Sequence, residues 1–387
     1  MKHSQVAAFV NEAAKEALGI DALVTEDLSL CVDSGTTVFP TSDNMDAFTK
    51  ALVNRIGTTI LVDRAYTGRA PSLLVDRARY GSITMKIATE PPEAVDNASW
   101  QLVDGRSYDD KIFRQPVVYS KFFNQRETFR VDRSLALKQM EESFTSPDLM
   151  NAFVSSLDTA TRTAITIRED ELVMRTVNNF IGETLFSEYP GAAYSASSGV
   201  RAVNLLYLYN QDTGASTTAA EAIYDPGFIR YASYKMKTIS DRLSVASTLY
   251  NIGGKTRFSP KDRQRVILHS DFKAAAEVYL YDAQGQLKDE YLRLPEADTT
   301  PFWQGSGTGY ALADTTAIDV TTTENHAVSC PYILGVLFDA DALGVANLEQ
   351  HVETELVKSA RFINYFHFWD CGHWNDFNEN FIVFFAA

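Results

Sequence analysis

Five polar residues near the C-terminus have types that could bind a metal ion. They are His367, Asp370, Cys371, His373 and Asp376. Histidine and cysteine side chains a few residues apart can ligate zinc, but this spacing matches none of the paired two-plus-two patterns. Aromatic residues also interleave the cluster. We therefore predict polar positions in a turn between two buried strands, with a metal site as the alternative.

Two further motifs have residue types found in catalytic or phosphate-binding sites. His269, Ser270 and Asp271 match a hydrolase triad in type, but successive side chains of a strand point to opposite faces and cannot form a relay. The glycine-rich run 305–309 follows a proline-bearing loop and opens no helix, so it lacks the context of a nucleotide-binding loop. We predict no catalysis and no cofactor at either motif.

Charged residues occur in groups that could serve acid–base chemistry or phosphate binding. The acidic groups are Glu169, Asp170 and Glu171, and Asp339 with Asp341. A charged cluster on a helix is usually solvated, and no identifiable partner stands beside these carboxylates. The basic residues are Arg64, Arg69, Arg77, Arg79, Lys255, Arg257, Lys261, Arg263 and Arg265. For the basic residues we predict salt bridges to acidic neighbours, with phosphate contacts as the alternative.

The composition excludes several classes of protein. The chain has 387 residues, 45% hydrophobic and 22% charged, which is typical of a folded chain of two or three domains. A net charge of −15 disfavours a sequence-reading nucleic-acid binder. Cys31, Cys330 and Cys371 are far apart, so we expect thiols without a disulfide. No apolar run approaches the ~20 residues of a membrane helix and no signal-peptide core is present, so we expect a soluble chain made in a cytosol.

Hydrophobic spacing and capping residues predict the helices. They span residues 4–18, 43–56, 146 to about 185, 225–246 and 272–281. Ser146, Pro147 and Asp148 give the longest helix an N-cap, a first-turn proline and an acid near its positive end. If this helix is continuous, it is roughly 55 to 60 Å long, and without a heptad repeat it is typical of a spine that lies across a sheet.

Alternating or continuous apolar runs predict the strands. They lie at 59–62, 81–87, 116–123, 203–209, 265–270, 332–338, 361–369 and 380–385. The last two flank a predicted turn at 371–373 and indicate a terminal hairpin. Residues 90–110 form a polar excursion that is too long for a tight hairpin. Residues 295–331 are predicted as loops, and the stretch up to Lys358 has mixed character.

The pattern of residues 45–387 resembles a known family. Its marks are Phe122 and Phe123, Phe129-Arg130-Val131, Leu135, SFTSPD at 143–148, NNFIGE at 178–183, YGSI at 80–83, PPE at 91–93 and WNDFNENF at 374–381. In these marks and their order the chain resembles the major capsid (head) proteins of short-tailed bacteriophages. The resemblance is one of pattern and includes no catalytic signature.

The resemblance implies an α+β protein with the Hong Kong 97-type capsid fold. This fold has an N-terminal arm, an extended two-stranded E-loop, a peripheral P-domain with a long spine helix on a sheet, and an axial A-domain. The implied divisions are 1–57 for the arm, 58–142 for the E-loop and its P-domain root strands, 143–199 for the spine helix, 200–330 for the A-domain, and 331–387 for P-domain return strands and a C-terminal hairpin.

The resemblance also implies a structural role without catalytic, cofactor-binding or metal-binding residues. The expected function is self-assembly into pentamers and hexamers of an icosahedral head around double-stranded DNA. The expected partners are further copies of the chain, a scaffolding protein and a portal during assembly, and non-specific contact with packaged DNA, without a membrane. The expected location is the virion, after assembly in the host cytoplasm. The alternatives are an encapsulin-like shell and an α/β carbohydrate-active enzyme, which needs two carboxylates ~5 to 10 Å apart in a cleft.

Overall fold

The computed structural model describes residues 3–20, 24–25, 47–48, 51–52, 69–76, 84–89, 103–105, 115, 117–143, 146–280, 294, 297–306, 309–310 and 314–387. The helices are α1 (His3–Leu18), α2 (Leu137–Ser143), α3 (Pro147–Glu188), α4 (Leu205–Thr213), α5 (Ala219–Ala222), α6 (Pro226–Leu243) and α7 (Ser270–Tyr279). The first strands are β1 (Leu74–Asp76), β2 (Thr84–Thr89), β3 (Val118–Phe123), β4 (Arg126–Ala136), β5 (Ala202–Asn204), β6 (Gln264–His269), β7 (Ala297–Thr300) and β8 (Gly305–Ser306). The remaining strands are β9 (Gly309–Tyr310), β10 (Ile318–Thr321), β11 (Ala327–Cys330), β12 (Ile333–Asp339), β13 (Leu343–Val357), β14 (Phe362–Asn375) and β15 (Phe381–Phe385).

Helix α3 is the longest element, and its start follows from the residues that cap it. The side-chain oxygen of Ser146 accepts a hydrogen bond from the backbone N–H of Leu149 at 3.2 Å, and Pro147 occupies the first turn. The helix continues for 42 residues, roughly 63 Å at 1.5 Å per residue. The predicted continuous helix is therefore confirmed, as are the predicted helices that correspond to α1, α6 and α7.

Two sheets lie against α3. The first has the strand order β1-β13-β14-β4, and the second has the order β5-β15-β12-β6-β7. Phe381, Val383 and Phe385 on one face of β15 join the core that contains α3. Ile382 and Phe384 on the other face join the core formed with α4, α6 and α7. The second sheet is therefore covered by helices on both faces, which explains why every residue of β12 and β15 is buried.

One apolar run forms a strand at its start and then a helix. The strand predicted at 203–209 is wrong beyond Asn204, because β5 ends there and α4 begins at the next residue. The Asn204 Oδ1 accepts a hydrogen bond from the backbone N–H of Tyr207 at 3.0 Å, and Gly214 ends the helix with a φ of 70°. A short apolar run fits a buried helix as well as a buried strand, so the capping residues decide between them.

The predicted terminal hairpin is wrong. Strand β14 continues through positions 371–373, where a turn was predicted, and pairs with β13 and β4. The chain reverses instead between β13 and β14, where Arg361 has a φ of 51°. Strand β15 pairs with β12 and β5 in the second sheet. Residues 331–387 thus supply strands to both sheets, whereas the implied division assigned them to one domain.

Two stretches without a clear pattern also contain strands. The mixed stretch before Lys358 is the 15-residue strand β13, in which carboxylates at Glu353 and Glu355 occupy the exposed face. Charged residues at alternate positions interrupt the apolar pattern of a strand that has one solvated face. The predicted loop 295–331 contains β7 to β11, of which β10 and β11 form a hairpin.

Some predictions fall on residues that the structure does not describe. These are the strand at 59–62, most of the excursion at 90–110, and Cys31, Arg64, Arg77 and Arg79. In the helix predicted at 43–56, residues 47–48 and 51–52 are described and are helical.

The hairpin of β10 and β11 packs closely on α3 at Gly182. A Cβ atom at Gly182 would lie 2.7 Å from the Thr322 Cγ2 and 3.2 Å from the Val320 Cγ2. The Asn179 Oδ1 on the same helix accepts a hydrogen bond from the backbone N–H of Thr323 at 2.8 Å. The absence of a side chain at position 182 therefore allows the hairpin to reach the helix.

We expect Gly182→Ala to destabilise the protein by about 1–3 kcal/mol, because the added methyl group must displace the hairpin. At an unobstructed helical position the same change would stabilise the protein by about 0.5–1 kcal/mol. Thermal unfolding measures the difference, and Gly191→Ala is the matched control because nothing lies within 4 Å of a Cβ there. A Gly182→Ala protein that melts above the wild type would contradict this packing.

Candidate functional site

The five residues considered for metal binding are spread along and beyond β14. His367 and Cys371 lie on its buried face, Asp370 lies on the opposite face, and Asp376 follows the end of the strand. The Cys371 Sγ lies 3.4 Å from the Asn347 Oδ1, and Cys371 forms no disulfide. In the part of the chain that the structure describes, no three His, Cys, Asp or Glu residues are grouped to hold a metal ion. The expected turn is wrong, because these positions belong to a strand.

Burial changes the titration of two histidines of β14. Desolvation lowers the pKa of His367 to about 4 from its ordinary value of 6.5. It also lowers the pKa of His373, with a further contribution from the charge of Arg175. Both side chains are therefore neutral at pH 7. At acidic pH they destabilise the folded protein, because the unfolded chain takes up protons on them more readily.

The other two motifs have structural positions. His269 caps α7, because its Nδ1 accepts a hydrogen bond from the backbone N–H of Asp271 at 3.3 Å. Its ring is fully buried, and desolvation lowers its pKa. Of the glycine run, Gly305 lies in β8 and Gly309 in β9, which pair antiparallel, and the Gly305 carbonyl oxygen accepts a hydrogen bond from Arg69 at 3.3 Å.

The acidic cluster of α3 is mostly buried, which corrects the expectation of a solvated face. The Asp170 carboxylate accepts hydrogen bonds from the backbone N–H and the Nε of Arg69, each at 2.7 Å. The neighbouring Glu169 accepts a hydrogen bond from the Trp369 Nε1 at 3.1 Å. Arg69 also donates to the Phe302 carbonyl oxygen at 3.1 Å. These contacts connect α3 to β14 of the first sheet, to the segment before β1 and, through Arg69, to the segment that follows β7.

Salt bridges are present at four of the basic residues for which they were predicted, namely Arg69, Arg257, Lys261 and Arg263. The pairs are Arg69 with Asp170, Arg257 with Glu379, Lys261 with Asp241, and Arg263 with Asp339 and Asp341. Two of the acidic partners, Asp339 and Asp341, were themselves considered for acid–base chemistry. Both instead form ion pairs with Arg263, the residue before β6 of the second sheet.

A two-stranded ribbon of β2 and β3 is fastened to the body by a partly buried ion cluster. The Lys86 Nζ lies 2.9 Å from the Asp376 Oδ2 and 2.6 Å from the Glu379 Oε1. The Lys121 Nζ lies 3.4 Å from the other Asp376 oxygen. The Asp376 side chain is 3% exposed, so its charge depends on these two lysines. The sequence offered no local signal for the cluster, because Lys86 and Asp376 are 290 positions apart.

The pKa values of this cluster show that the ion pairs outweigh burial. Burial alone would raise the pKa of Asp376, but the charges of Lys86 and Lys121 lower it below 3.8. Burial alone would lower the pKa of Lys86, but hydrogen bonds and charges from Glu379 and Asp376 raise it above 10.5. Asp376 and Lys86 are therefore both charged at neutral pH.

The opposite face of the ribbon is apolar and exposed. Cross-strand partners share a face, so Lys86 and Lys121 point to the body, while Ile87, Val118 and Phe122 point away. The three apolar side chains are 60%, 54% and 61% exposed. Alternation within 81–87 and 116–123 predicted the strands, but which face would be covered could not be read from it.

A groove of about 330 Å³ lies between α3, the hairpin of β10 and β11, and the end of β14. Of the described residues that line it, Glu171 alone has a carboxylate. A glycoside hydrolase of the usual kind needs two carboxylates on either side of the bond that is cleaved. The groove therefore does not support the carbohydrate-active alternative.

Comparison with known proteins relates the chain to phage capsids. The family model for Phi29-like phage major capsid proteins matches residues 6–385. The capsid structure of Staphylococcus phage Andhra matches with a TM-score of 0.52 and 10% identity, over 84% of this chain and 86% of that chain. The capsid structure of Cyanophage P-SCSP1u matches with a TM-score of 0.46 and 11% identity, over 82% and 86% of the two chains. No curated protein matches the sequence. Every described helix is too short or too polar to cross a membrane.

We expect Asp376→Asn to loosen the ribbon, because it leaves Lys86 with one carboxylate in a half-buried site. The expected local cost is about 1–3 kcal/mol, which corresponds to roughly tenfold or greater loss of hydrogen-exchange protection at 84–89 and 118–123. Asp132→Asn is the matched control, because its ion pair with Arg130 is about half exposed. Unchanged exchange of the ribbon in Asp376→Asn would show that the cluster does not hold it.

We expect the stability of the protein to fall as the pH decreases from 6.5 to 4. The unfolded His367 side chain takes up a proton near pH 6.5, whereas the folded one does so only near pH 4, so protonation favours unfolding in this window. The contribution is at most about 3 kcal/mol. Urea unfolding of His367→Gln across this range should show a shallower decline. A slope equal to that of the wild type would contradict the assignment.

Proposed function

The chain belongs to the Phi29-like phage major capsid protein family and is a structural protein of the phage head, and from that premise we propose that its copies form the pentamers and hexamers of an icosahedral shell around double-stranded DNA. Its fold is the Hong Kong 97-type capsid fold, with mixed helix and sheet. The family indicates a phage virion and not an encapsulin-like compartment, and it points to a structural role without catalysis.

The observation that carries the assembly proposal is the exposed apolar face of the ribbon. Ile87, Val118 and Phe122 are more than half exposed, yet the ribbon that presents them is fixed to the body by buried ion pairs. Exposed apolar patches on ordered elements mark interaction surfaces, because a monomer gains nothing from them. An isolated two-stranded ribbon is also marginally stable alone, so a neighbouring copy that covers this face would stabilise it.

We assign the parts of the fold to the expected domains with one change. The arm is 1–57, the E-loop and its root strands are 58–142, and the spine helix region is 143–199. The A-domain is 200–330 together with β12 and β15, because both strands pair in the sheet of β5, β6 and β7. The remaining part of 331–387 supplies the P-domain strands β13 and β14, which pair with each other, and β14 also pairs with β4.

The remaining parts of the proposal concern partners and location. A scaffolding protein and a portal take part in assembly, which occurs in the host cytoplasm, and the finished shell contacts its DNA without sequence preference. The chain acts without cofactor or metal. A net charge of −15 supports a loose contact with the genome, because like charges repel.

We expect the purified protein, expressed with and without a candidate scaffolding protein, to form closed shells or rings of five and six copies in electron micrographs. The variant Ile87→Ser with Phe122→Ser should remain folded but assemble poorly. Each buried side chain contributes about 1.5–3 kcal/mol, and every 1.4 kcal/mol is tenfold in association. Val278→Ser, at a residue 56% exposed on α7, is the matched control and should assemble normally.

Light scattering and melting temperature separate the possible outcomes. A wild-type protein that stays monomeric or dimeric under every condition overturns the shell proposal. If the ribbon variant assembles as well as the wild type, the exposed face of the ribbon is not part of the interface, and the shell proposal stands.

A further inference from the structure

The loop at 244–258 is closed at its base by backbone hydrogen bonds. The Ser259 N–H donates to the Leu243 carbonyl oxygen at 2.7 Å. Ser247 and Arg257 exchange two hydrogen bonds, at 2.9 and 3.0 Å, and form an isolated antiparallel bridge. The loop therefore leaves the end of α6 and returns towards β6 as a compact, hairpin-like unit.

The interior of this loop is ordered by polar contacts. The buried Asn251 side chain donates to the Lys255 carbonyl oxygen at 2.7 Å and accepts from the Lys255 N–H at 2.8 Å. The Gly253 N–H donates to the Phe377 carbonyl oxygen at 2.8 Å, and the Phe381 N–H donates to the Tyr250 carbonyl oxygen at 3.0 Å. These bonds fix the loop to the connection between β14 and β15.

The ordered loop nevertheless leaves three of its large apolar side chains in solvent, whereas Tyr250 and Ile252 pack partly against the two cores. Val245, Leu249 and Phe258 are 66%, 59% and 61% exposed. Polar contacts hold the loop together, so these side chains are not needed for its order. A preformed surface with exposed apolar side chains loses little conformational entropy when it binds, which is a property of interaction surfaces.

The loop adjoins the ribbon at one carboxylate. The Glu379 Oε1 lies 2.6 Å from the Lys86 Nζ of the ribbon and 3.1 Å from the Arg257 Nε of the loop. Ile87 follows Lys86 and lies on the exposed face of the ribbon, and Phe258 follows Arg257 in the loop. One exposed apolar side chain of the ribbon and one of the loop are therefore each a single residue away from a side chain that binds Glu379.

The loop also belongs to a region of opposite charge to the rest of the chain. Residues 226–265 contain nine Lys and Arg against two Asp, a net of +7 in a chain whose total is −15. The rest of the chain therefore carries −22. Four carboxylates from outside this segment, Asp212, Glu379, Asp339 and Asp341, form ion pairs with it, so the segment and these partners together keep a net charge of +3. A net positive segment with exposed apolar side chains is complementary to an acidic protein surface. The DNA backbone offers phosphates but no apolar partner for Val245, Leu249 and Phe258, so DNA is the weaker candidate.

We propose that the loop at 244–258, through Val245, Leu249 and Phe258, docks on an acidic surface of a second copy of this chain and extends the interface of the ribbon. This inference rests on the proposed assembly into shells. The second copy is the occupant because the loop and the ribbon bind the same Glu379 carboxylate and because the net-acidic remainder of the same chain supplies the complementary charge.

The test places a photo-crosslinking amino acid, benzoylphenylalanine, at position 258 in one protein and at position 278 of α7 in another. Both positions are more than half exposed, so the substitution disturbs neither core. Shells are formed, irradiated and digested, and cross-linked peptides are identified by mass spectrometry. We expect position 258 to cross-link to a peptide of a second copy within shells but not within dissociated subunits. A second arm measures shell yield for Leu249→Ser with Phe258→Ser, which we expect to fall at least tenfold at an unchanged melting temperature.

Each outcome bears on one proposal. If the wild-type protein forms no shells, the proposed function fails. If shells form, but position 258 cross-links to DNA, to another protein or to nothing, the docking inference is overturned while the shell proposal stands. Normal shell yield from the double variant overturns it as well.

Discussion

A helix of 42 residues must bury its apolar stripe along its whole length, and the arrangement of both sheets follows from this requirement. The first sheet and α1 cover part of α3, and the second sheet and the hairpin of β10 and β11 cover the remainder. Phe180 illustrates the junction, because its ring stacks on Phe381 at a centroid distance of 4.0 Å and meets the edge of Phe377 at 4.8 Å. Each of these packed elements places polar groups beside α3, so side chains of α3 must also form hydrogen bonds with those groups.

The buried polar residues of α3 fix where the elements packed against the helix lie along its length. Asp170 binds Arg69, Glu169 binds Trp369, and Asn178 donates to the Trp303 carbonyl oxygen at 2.8 Å. An unsatisfied buried polar group costs about 1–3 kcal/mol, so a shift along the helix of β14, of the segment before β1 or of the segment after β7 is penalised. Apolar contacts alone tolerate sliding, whereas these hydrogen bonds specify one position.

The sequence predicts local features well and distant partnerships poorly. Ser146 and Pro147 mark the start of α3 because a helix N-cap uses residues that are neighbours in sequence. The residues that cap α4, Asn204 and Gly214, are equally local signals, but the apolar run between them fits both a helix and a strand. The burial of Asp170 depends on Arg69, 101 positions away, and no spacing rule connects them. The same limit applies to the ribbon, because the carboxylates that hold one of its faces against the body, Asp376 and Glu379, are far from it in the sequence.

The charge distribution connects the fold to assembly. Copies with a net charge of −15 repel one another, so a shell needs local attraction that exceeds this repulsion. Around a rotation axis each copy presents one surface to the next copy and receives a different one, so the two surfaces can carry opposite charges. In the proposed docking, the basic segment of α6 and its following loop is one of these surfaces, and an acidic surface of the next copy is the other. Copies that repel one another overall would then attract one another at this one contact, which favours a single head-to-tail orientation.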